Sequence, residues 1–147
     1  MTMVDSFEKI TCRIFDDTYK GSAYVAKEIA TLIRDKQKKK EPCVLGLATG
    51  STPKSLYKEL VRMHKEEKLS FKNVITFNLD EYYPIDNDAW QSYNSYMHRL
   101  LFDHIDIDKK NIHIPNGELS KEDVKKHCSE YERAIELGRW TGFPPAR

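Results

Sequence analysis

At 147 residues, 39% hydrophobic and 32% charged, the chain is long enough for one cored domain and too apolar for a disordered segment. Lys plus Arg (24) and Asp plus Glu (23) nearly cancel to a net charge of +1, so no overall field favours nucleic acid or an anionic membrane. No apolar run approaches a membrane span, and Met1-Thr2-Met3-Val4-Asp5 has no basic region with an apolar core behind it, so a soluble cytoplasmic protein is expected.

The elements follow in chain order. Ile10 to Phe15 alternates and is rich in β-formers, which predicts a first strand. Asp16 and Asp17 can start a helix whose apolar face is Ala23, Ala26, Ile29, Ala30 and Ile33. The Lys36-Gln37-Lys38-Lys39-Lys40 run falls at its end, where cations suit the helix dipole and water. Cys43 to Leu47 has the continuous apolar character of a buried parallel strand. Leu56, Leu60, Val61 and Met63 predict a second helix, Val74 to Phe77 a third strand, and Tyr96, Met97, Leu100 and Leu101 a third helix. Asn111 to Ile114 is a short strand candidate, and Val124, Cys128, Tyr131 and Ile135 space out a last helix. The alternation β-α-β-α-β-α-β-α predicts an α/β fold, a parallel sheet covered by helices. The three cysteines, Cys12, Cys43 and Cys128, are far apart and lack a C-x-x-C pair, which argues against a zinc site or disulfides. Cys12 and Cys43 lie in apolar runs and are expected in the core.

Two strand ends carry candidate chemistry. Thr49, Gly50, Ser51 and Thr52 follow the apolar run 43–47, where open parallel sheets bind ligands. Gly50 permits unusual dihedrals, Thr52 is a suitable N-cap, Pro53 fits the first helical turn, and the helix N-terminus offers free amides to an anion. A phosphate fits, and so does an ordinary capped turn. The spacing is not that of a Walker A loop, and one glycine falls short of a dinucleotide fingerprint. Asp80 and Glu81 follow the strand at 74–77 and would emerge on the same edge. Asp80 is a candidate general base, and Glu81 could orient it or cap a nearby helix. Solvated loop carboxylates are the alternative.

Residues 46–53 (GLATGSTP), 70–83 (SFKNVITFNLDEYY), 91–107 (QSYNSYMHRLLFDHIDI) and 111–117 (NIHIPNG) together resemble the glucosamine-6-phosphate deaminase family, from about Phe15 to Ile135. The D-E-Y-Y-P and N-I-H-I-P wording is most similar to a longer bacterial branch. The resemblance implies a modified Rossmann-like, doubly wound domain that converts D-glucosamine 6-phosphate and water to D-fructose 6-phosphate and ammonia. It implies that Thr49, Gly50, Ser51 and Thr52 hold the sugar phosphate. It also implies that Asp80 moves a proton between C2 and C1 through an enediol, with Glu81 as its acidic neighbour. No metal or organic cofactor is implied, the partner is a small sugar phosphate, and the intact family form would be a homo-oligomer. The related 6-phosphogluconolactonases share the T-P turn but differ around the D-E pair. A lactonase-like hydrolase and a non-catalytic sugar-phosphate-binding protein are the competing readings.

The resemblance stops near Ile135, and 137–147 carries no match to it. Residues 1–136 are expected to form the N-terminal part of the domain, and 137–147, with neither structural period and with Pro144-Pro145, to form an atypical tail. The family's next motif, G-H-I-x-F-N-E with the ring-opening histidine, has no match here. The expectation is therefore the first half of such a domain, as a truncated or frameshifted gene would give, inactive by itself. His64, His98, His104, His113 and His127 are expected to be structural or on the surface.

Overall fold

The structure, a computed structural model, describes residues 12–137. In chain order it contains α1 (Thr18–Lys38), β1 (Cys43–Leu47), α2 (Lys54–Glu67), β2 (Val74–Asn78), α3 (Tyr93–Leu100), β3 (Ile112–His113) and α4 (Lys121–Glu136). The strands form one parallel sheet in the order β1-β2-β3, with Leu47 opposite Asn78 and Phe77 opposite His113. All three strands therefore end on the same edge.

The helices start and bury as their sequences dictate, with two informative exceptions. Asp17 caps α1, its carboxylate accepting from the Lys20 amide at 2.7 Å, and Ala26, Ala30 and Ile33 are buried. Ser92 caps α3 by accepting from the Ser95 amide. The expectation of Thr52 as N-cap of α2 is corrected: the helix begins at Lys54, and Pro53 in the cap position offers no side-chain bond. The chain first makes a turn, in which the Lys54 amide donates to the Ser51 carbonyl at 3.4 Å. Thr52 is thereby held one residue short of the capping position. In α4 the period is right but the buried face is shifted. Tyr131 and Ala134 are buried while Cys128 and Ile135 are exposed. The Tyr131 hydroxyl donates to the carbonyls of Asn78 (2.8 Å) and His113 (3.0 Å), which sets the rotation of the helix on the sheet.

The expected first strand is also corrected. Cys12 to Phe15 carry no strand, while Ile10 and Thr11 lie outside the described residues. The segment uses its side chains on α1 instead: Phe15 packs on Tyr24 at 5.5 Å between ring centroids, and the Arg13 guanidinium lies 4.5 Å from the Tyr24 centroid. Cys12 is accordingly exposed, against its expected place in the core, while Cys43 is buried. The expected tail lies outside the described residues except for Leu137.

The main core lies between one sheet face and α1, α2 and α3, built from Ala26, Ile33, Cys43, Leu47, Tyr57, Leu60, Val74 and Met97 among others. On the other face α4 seals Ile75 and Phe77 with Tyr131 and Ala134. Helices on both faces make the sheet doubly wound. Every residue of β2 is buried. β1, expected to be buried throughout, is covered on one face only: Val44, beside Ile75 on the α4 side, is 40% exposed. Its place at the edge of the sheet, beyond the reach of α4, accounts for the difference.

Candidate active site at the carboxyl edge of the sheet

The turn after β1 is built by backbone conformation and pinned from below. Gly50 has φ +101, a conformation that a side chain would strain, and a Cβ there would meet nothing within 4 Å. The glycine therefore serves the turn and leaves the space above it open. Asn78 at the end of β2 donates its side-chain amide to the Leu47 carbonyl at 3.1 Å, tying the two strand ends together. The Tyr57 hydroxyl donates to the Ala48 carbonyl and the Tyr96 hydroxyl to the Gly50 carbonyl. Burial, with Tyr96 nearby, raises the Tyr57 phenol well above its usual range against the opposing bond to Ala48, so it stays a protonated donor. Burial also raises Tyr96. Among the described residues, no hydrogen bond uses the backbone amides of Thr49, Gly50, Ser51 or Thr52. Thr49 and Thr52 border a cleft of about 800 Å³ toward the start of α1, with Asp16 and Asp17 on its far side.

The turn after β2 is held differently. Asp80 is exposed, and its carboxylate makes no hydrogen bond or ion pair among the described residues. Glu81 does the opposite. Its Oε1 accepts from the amides of Tyr82 (2.9 Å) and Tyr93 (2.9 Å), and its Oε2 from the amide of Asn94 (2.8 Å). Tyr93 and Asn94 open α3, so the carboxylate occupies the positive end of that helix. Of the two roles weighed for Glu81, this is the geometry of a helix cap.

The rest of the loop leans on the segment after β3. Tyr83 donates its hydroxyl to the Leu119 carbonyl at 2.9 Å, and the Ile85 amide donates to the Gly117 carbonyl at 3.0 Å. Gly117 is required by contact: a Cβ there would lie 2.5 Å from Ile85 Cγ2 and 2.7 Å from the Tyr82 carbonyl oxygen. The Tyr83–Pro84 bond is cis. Tyr82 stacks near Tyr93, centroids 4.8 Å apart, with their hydroxyls 3.2 Å apart. That hydrogen bond, ahead of the charges of Tyr93, Asp80 and Glu81, raises the Tyr82 phenol.

The structure thus brings the turn at 49–52 and the pair Asp80–Glu81 to adjacent strand ends. Asp80 and Glu81 do not line the cleft beside Thr49 and Thr52. Sequence patterning missed Tyr57, Tyr96, Asn78 and Gly117. The tyrosines sit at apolar helix positions, and the only signal was that a buried phenol needs a hydrogen-bond partner. Among the described residues no group of three or more His, Cys, Asp or Glu could hold a metal ion, and no helix is long and apolar enough to cross a membrane.

Residues 16–144 match the family model described as glucosamine-6-phosphate isomerases/6-phosphogluconolactonase. The chain belongs to this family. Within it, a Bacteroides thetaiotaomicron protein named as a putative glucosamine-6-phosphate deaminase-like protein is 46% identical over 92% of this chain and 20% of its own length. A glucosamine-6-phosphate deaminase of Treponema denticola is 48% identical over 82% of this chain and 43% of its own. A solved structure of a monomeric glucosamine-6-phosphate deaminase superposes with TM-score 0.77 at 38% identity, covering 84% of this chain and 49% of that one. The chain thus spans half or less of the length of these relatives. Solved 6-phosphogluconolactonases are similar at 15–24% identity, a likeness of fold alone.

Proposed function

We propose that this chain supplies the phosphate-binding turn and the proton-moving carboxylate for conversion of D-glucosamine 6-phosphate and water to D-fructose 6-phosphate and ammonia. The observation that carries the proposal is identity: relatives named as deaminases are 46–48% identical to this chain, and the lactonase likeness is one of fold. The geometry is compatible with it. Unpaired amides and hydroxyls at 49–52, on a turn exposed at Gly50, Ser51 and Thr52, suit a phosphate, and a carboxylate without a partner at Asp80 suits a base.

In the open-chain sugar the C2 proton is acidic because it lies beside the C1 carbonyl. Asp80 takes that proton and returns it to C1 through an enediol-type intermediate, leaving a C=N bond at C2. Water adds there, the C–N bond breaks, and ketone and ammonia leave. Glu81, whose carboxylate accepts three amides, positions the loop beside Asp80.

Ring opening needs a further acid–base group, and this chain's histidines are committed elsewhere. His64 bonds the Leu69 carbonyl, His98 Asp103, His104 the Arg99 carbonyl and His127 the Asn116 amide, and His113 stacks on Phe77. By itself the 147-residue chain is therefore expected to bind the product and not to release ammonia. A cytoplasmic setting belongs to the same proposal, since phosphorylated sugars are charged and held inside cells. So does a homo-oligomeric active form, to be read by sedimentation.

Binding of fructose 6-phosphate to the chain, followed through the amide resonances of 49–52, tests the cradle. Replacing both Ser51 and Thr52 with Ala should weaken it about tenfold or more, since bonds to charged groups are the strong ones. Unchanged affinity would remove the turn from the proposal. In an active protein containing this sequence, Asp80→Asn should keep binding and lose exchange of the C2 proton with solvent. Exchange at the unaltered rate would assign the base elsewhere, and turnover of the lactone without the amino sugar would favour the hydrolase.

A further inference from the structure

Two tyrosines from different helices converge on the turn after β1. A trans peptide is planar, with its C=O and N–H pointing in opposite directions. A donor that fixes a carbonyl therefore also aims the next residue's amide. Tyr57, 1% exposed in the core, holds the Ala48 carbonyl and so turns the Thr49 amide away from α2. Tyr96 on α3 holds the Gly50 carbonyl and so turns the amide of Ser51, an exposed residue, away from α3.

The second peptide is the one most in need of an anchor. It follows a glycine in the left-handed region, with nothing within 4 Å of where a Cβ would stand. Glycine leaves that peptide plane little steric reason to prefer one orientation. Flipped, it would present a carbonyl oxygen to the incoming ligand, which repels a phosphate where an amide attracts it. The Tyr96 hydroxyl can only serve as the inward anchor if α3 is fixed, and Glu81 fixes it by taking the amides of Tyr93 and Asn94. Tyr93 and Tyr96 are three residues apart, less than one turn of about 5.4 Å. One short helix thus ties the carboxylate loop to the phosphate turn.

We propose that Tyr57 and Tyr96 are positioning residues for phosphate recognition, Tyr96 setting the Gly50–Ser51 peptide so that the turn presents a donor and not an acceptor. The inference rests on the reading of 49–52 as the phosphate site.

The experiment compares the unaltered chain with Tyr96→Phe, Tyr57→Phe and the Ser51→Ala/Thr52→Ala double variant. Inorganic phosphate and fructose 6-phosphate are titrated separately, and the Gly50 carbonyl and Ser51 amide resonances are followed in the free proteins. Tyr96→Phe removes one oxygen at a half-buried site, so the melting temperature should change little. The two resonances should move, and affinity for both anions should fall by a common factor of about ten, the worth of one bond to a charged group. Loss of sugar phosphate affinity alone would place Tyr96 on the sugar and overturn the inference. So would resonances and affinities within twofold of the unaltered chain. If Tyr57→Phe fails to fold, Tyr96→Phe alone decides. If the double variant binds like the unaltered chain, or the unaltered chain shows no millimolar binding, the phosphate site itself is wrong. If the double variant is weakened and Tyr96→Phe is not, only the positioning role falls.

Discussion

Replacing Glu81 with Ala should destabilise the protein without unfolding it. The carboxylate accepts three amides, at 2.9, 2.9 and 2.8 Å, and two of them open α3. Loss of a capping side chain costs about 1 kcal/mol. Loss of a negative charge at a helix N-terminus costs a further 0.3–1 kcal/mol, roughly. The Tyr82 amide is exposed enough for water to replace its bond. The sum is about 2 kcal/mol, or about 4–8 °C in melting temperature for a domain near this size. Ser92 still caps α3 through the Ser95 amide, which bounds the loss.

Glu81→Gln is the discriminating companion. Its one oxygen can still accept from Tyr82 and Tyr93, but its NH2 then meets the Asn94 amide, donor against donor. About half the loss should remain. Urea and thermal unfolding read the stability, and amide exchange at Tyr93 and Asn94 reads the cap. An Ala variant within about 0.5 kcal/mol of the unaltered protein, the range of an ordinary surface change, would refute the capping role.

Gly117→Ala should cost about 1–3 kcal/mol and displace the 82–85 loop, because the new Cβ would lie 2.7 Å from the Tyr82 carbonyl oxygen as well as against Ile85; an unshifted loop and melt would contradict the contact. Tyr131→Phe should cost about 1–3 kcal/mol by removing the hydroxyl that bonds the Asn78 and His113 carbonyls under α4, read by urea unfolding; a loss below about 0.5 kcal/mol would show that neither bond matters. Burial holds the His113 imidazole below its ordinary 6.5, so the unfolded chain takes the proton first. Stability from this group is therefore complete above about pH 6.5 and declines as pH falls below it toward the folded value; a melt as stable at pH 5 as at pH 7.5, or unchanged in slope by His113→Gln, would be inconsistent with that.

The alternation of elements was legible because period and length separate a five-residue apolar strand from a fourteen-residue amphipathic helix. The described part of the expected first strand, 12–15, shows the limit of that signal. Alternating apolar residues suit a strand only where a neighbour offers its edge, and Phe15 and Arg13 found α1 instead. Thr52 shows another limit: small polar residues before a helix mark its start to within a residue or two, and the turn through Ser51 decides which one caps. The bracing of the site was not legible at all. Tyr96 was correctly placed on an apolar helix face and Tyr57 was not singled out at all, and Tyr96 reaches a carbonyl 46 residues away. Such a pairing exists only once the sheet has brought its strand ends together.

Segments that follow strands are ordinarily the mobile part of a domain. Here several backbone groups around both turns are held by side chains. The carbonyls of Leu47, Ala48 and Gly50 each accept from a side chain, and so does that of Asn78, while the Glu81 carboxylate accepts three amides. Against that background, the amides of 49–52 and the carboxylate of Asp80 stand out as groups without a partner among the described residues. Gly50, Ser51, Thr52 and Asp80 are exposed, so leaving them unpaired costs the fold little. Under the proposed function these are the groups that the phosphate and the C2 proton would meet, on turns whose neighbouring carbonyls are already held. The side-chain bonds go to the carbonyls that flank the two turns, and the groups left over are those that the proposed function assigns to the sugar phosphate.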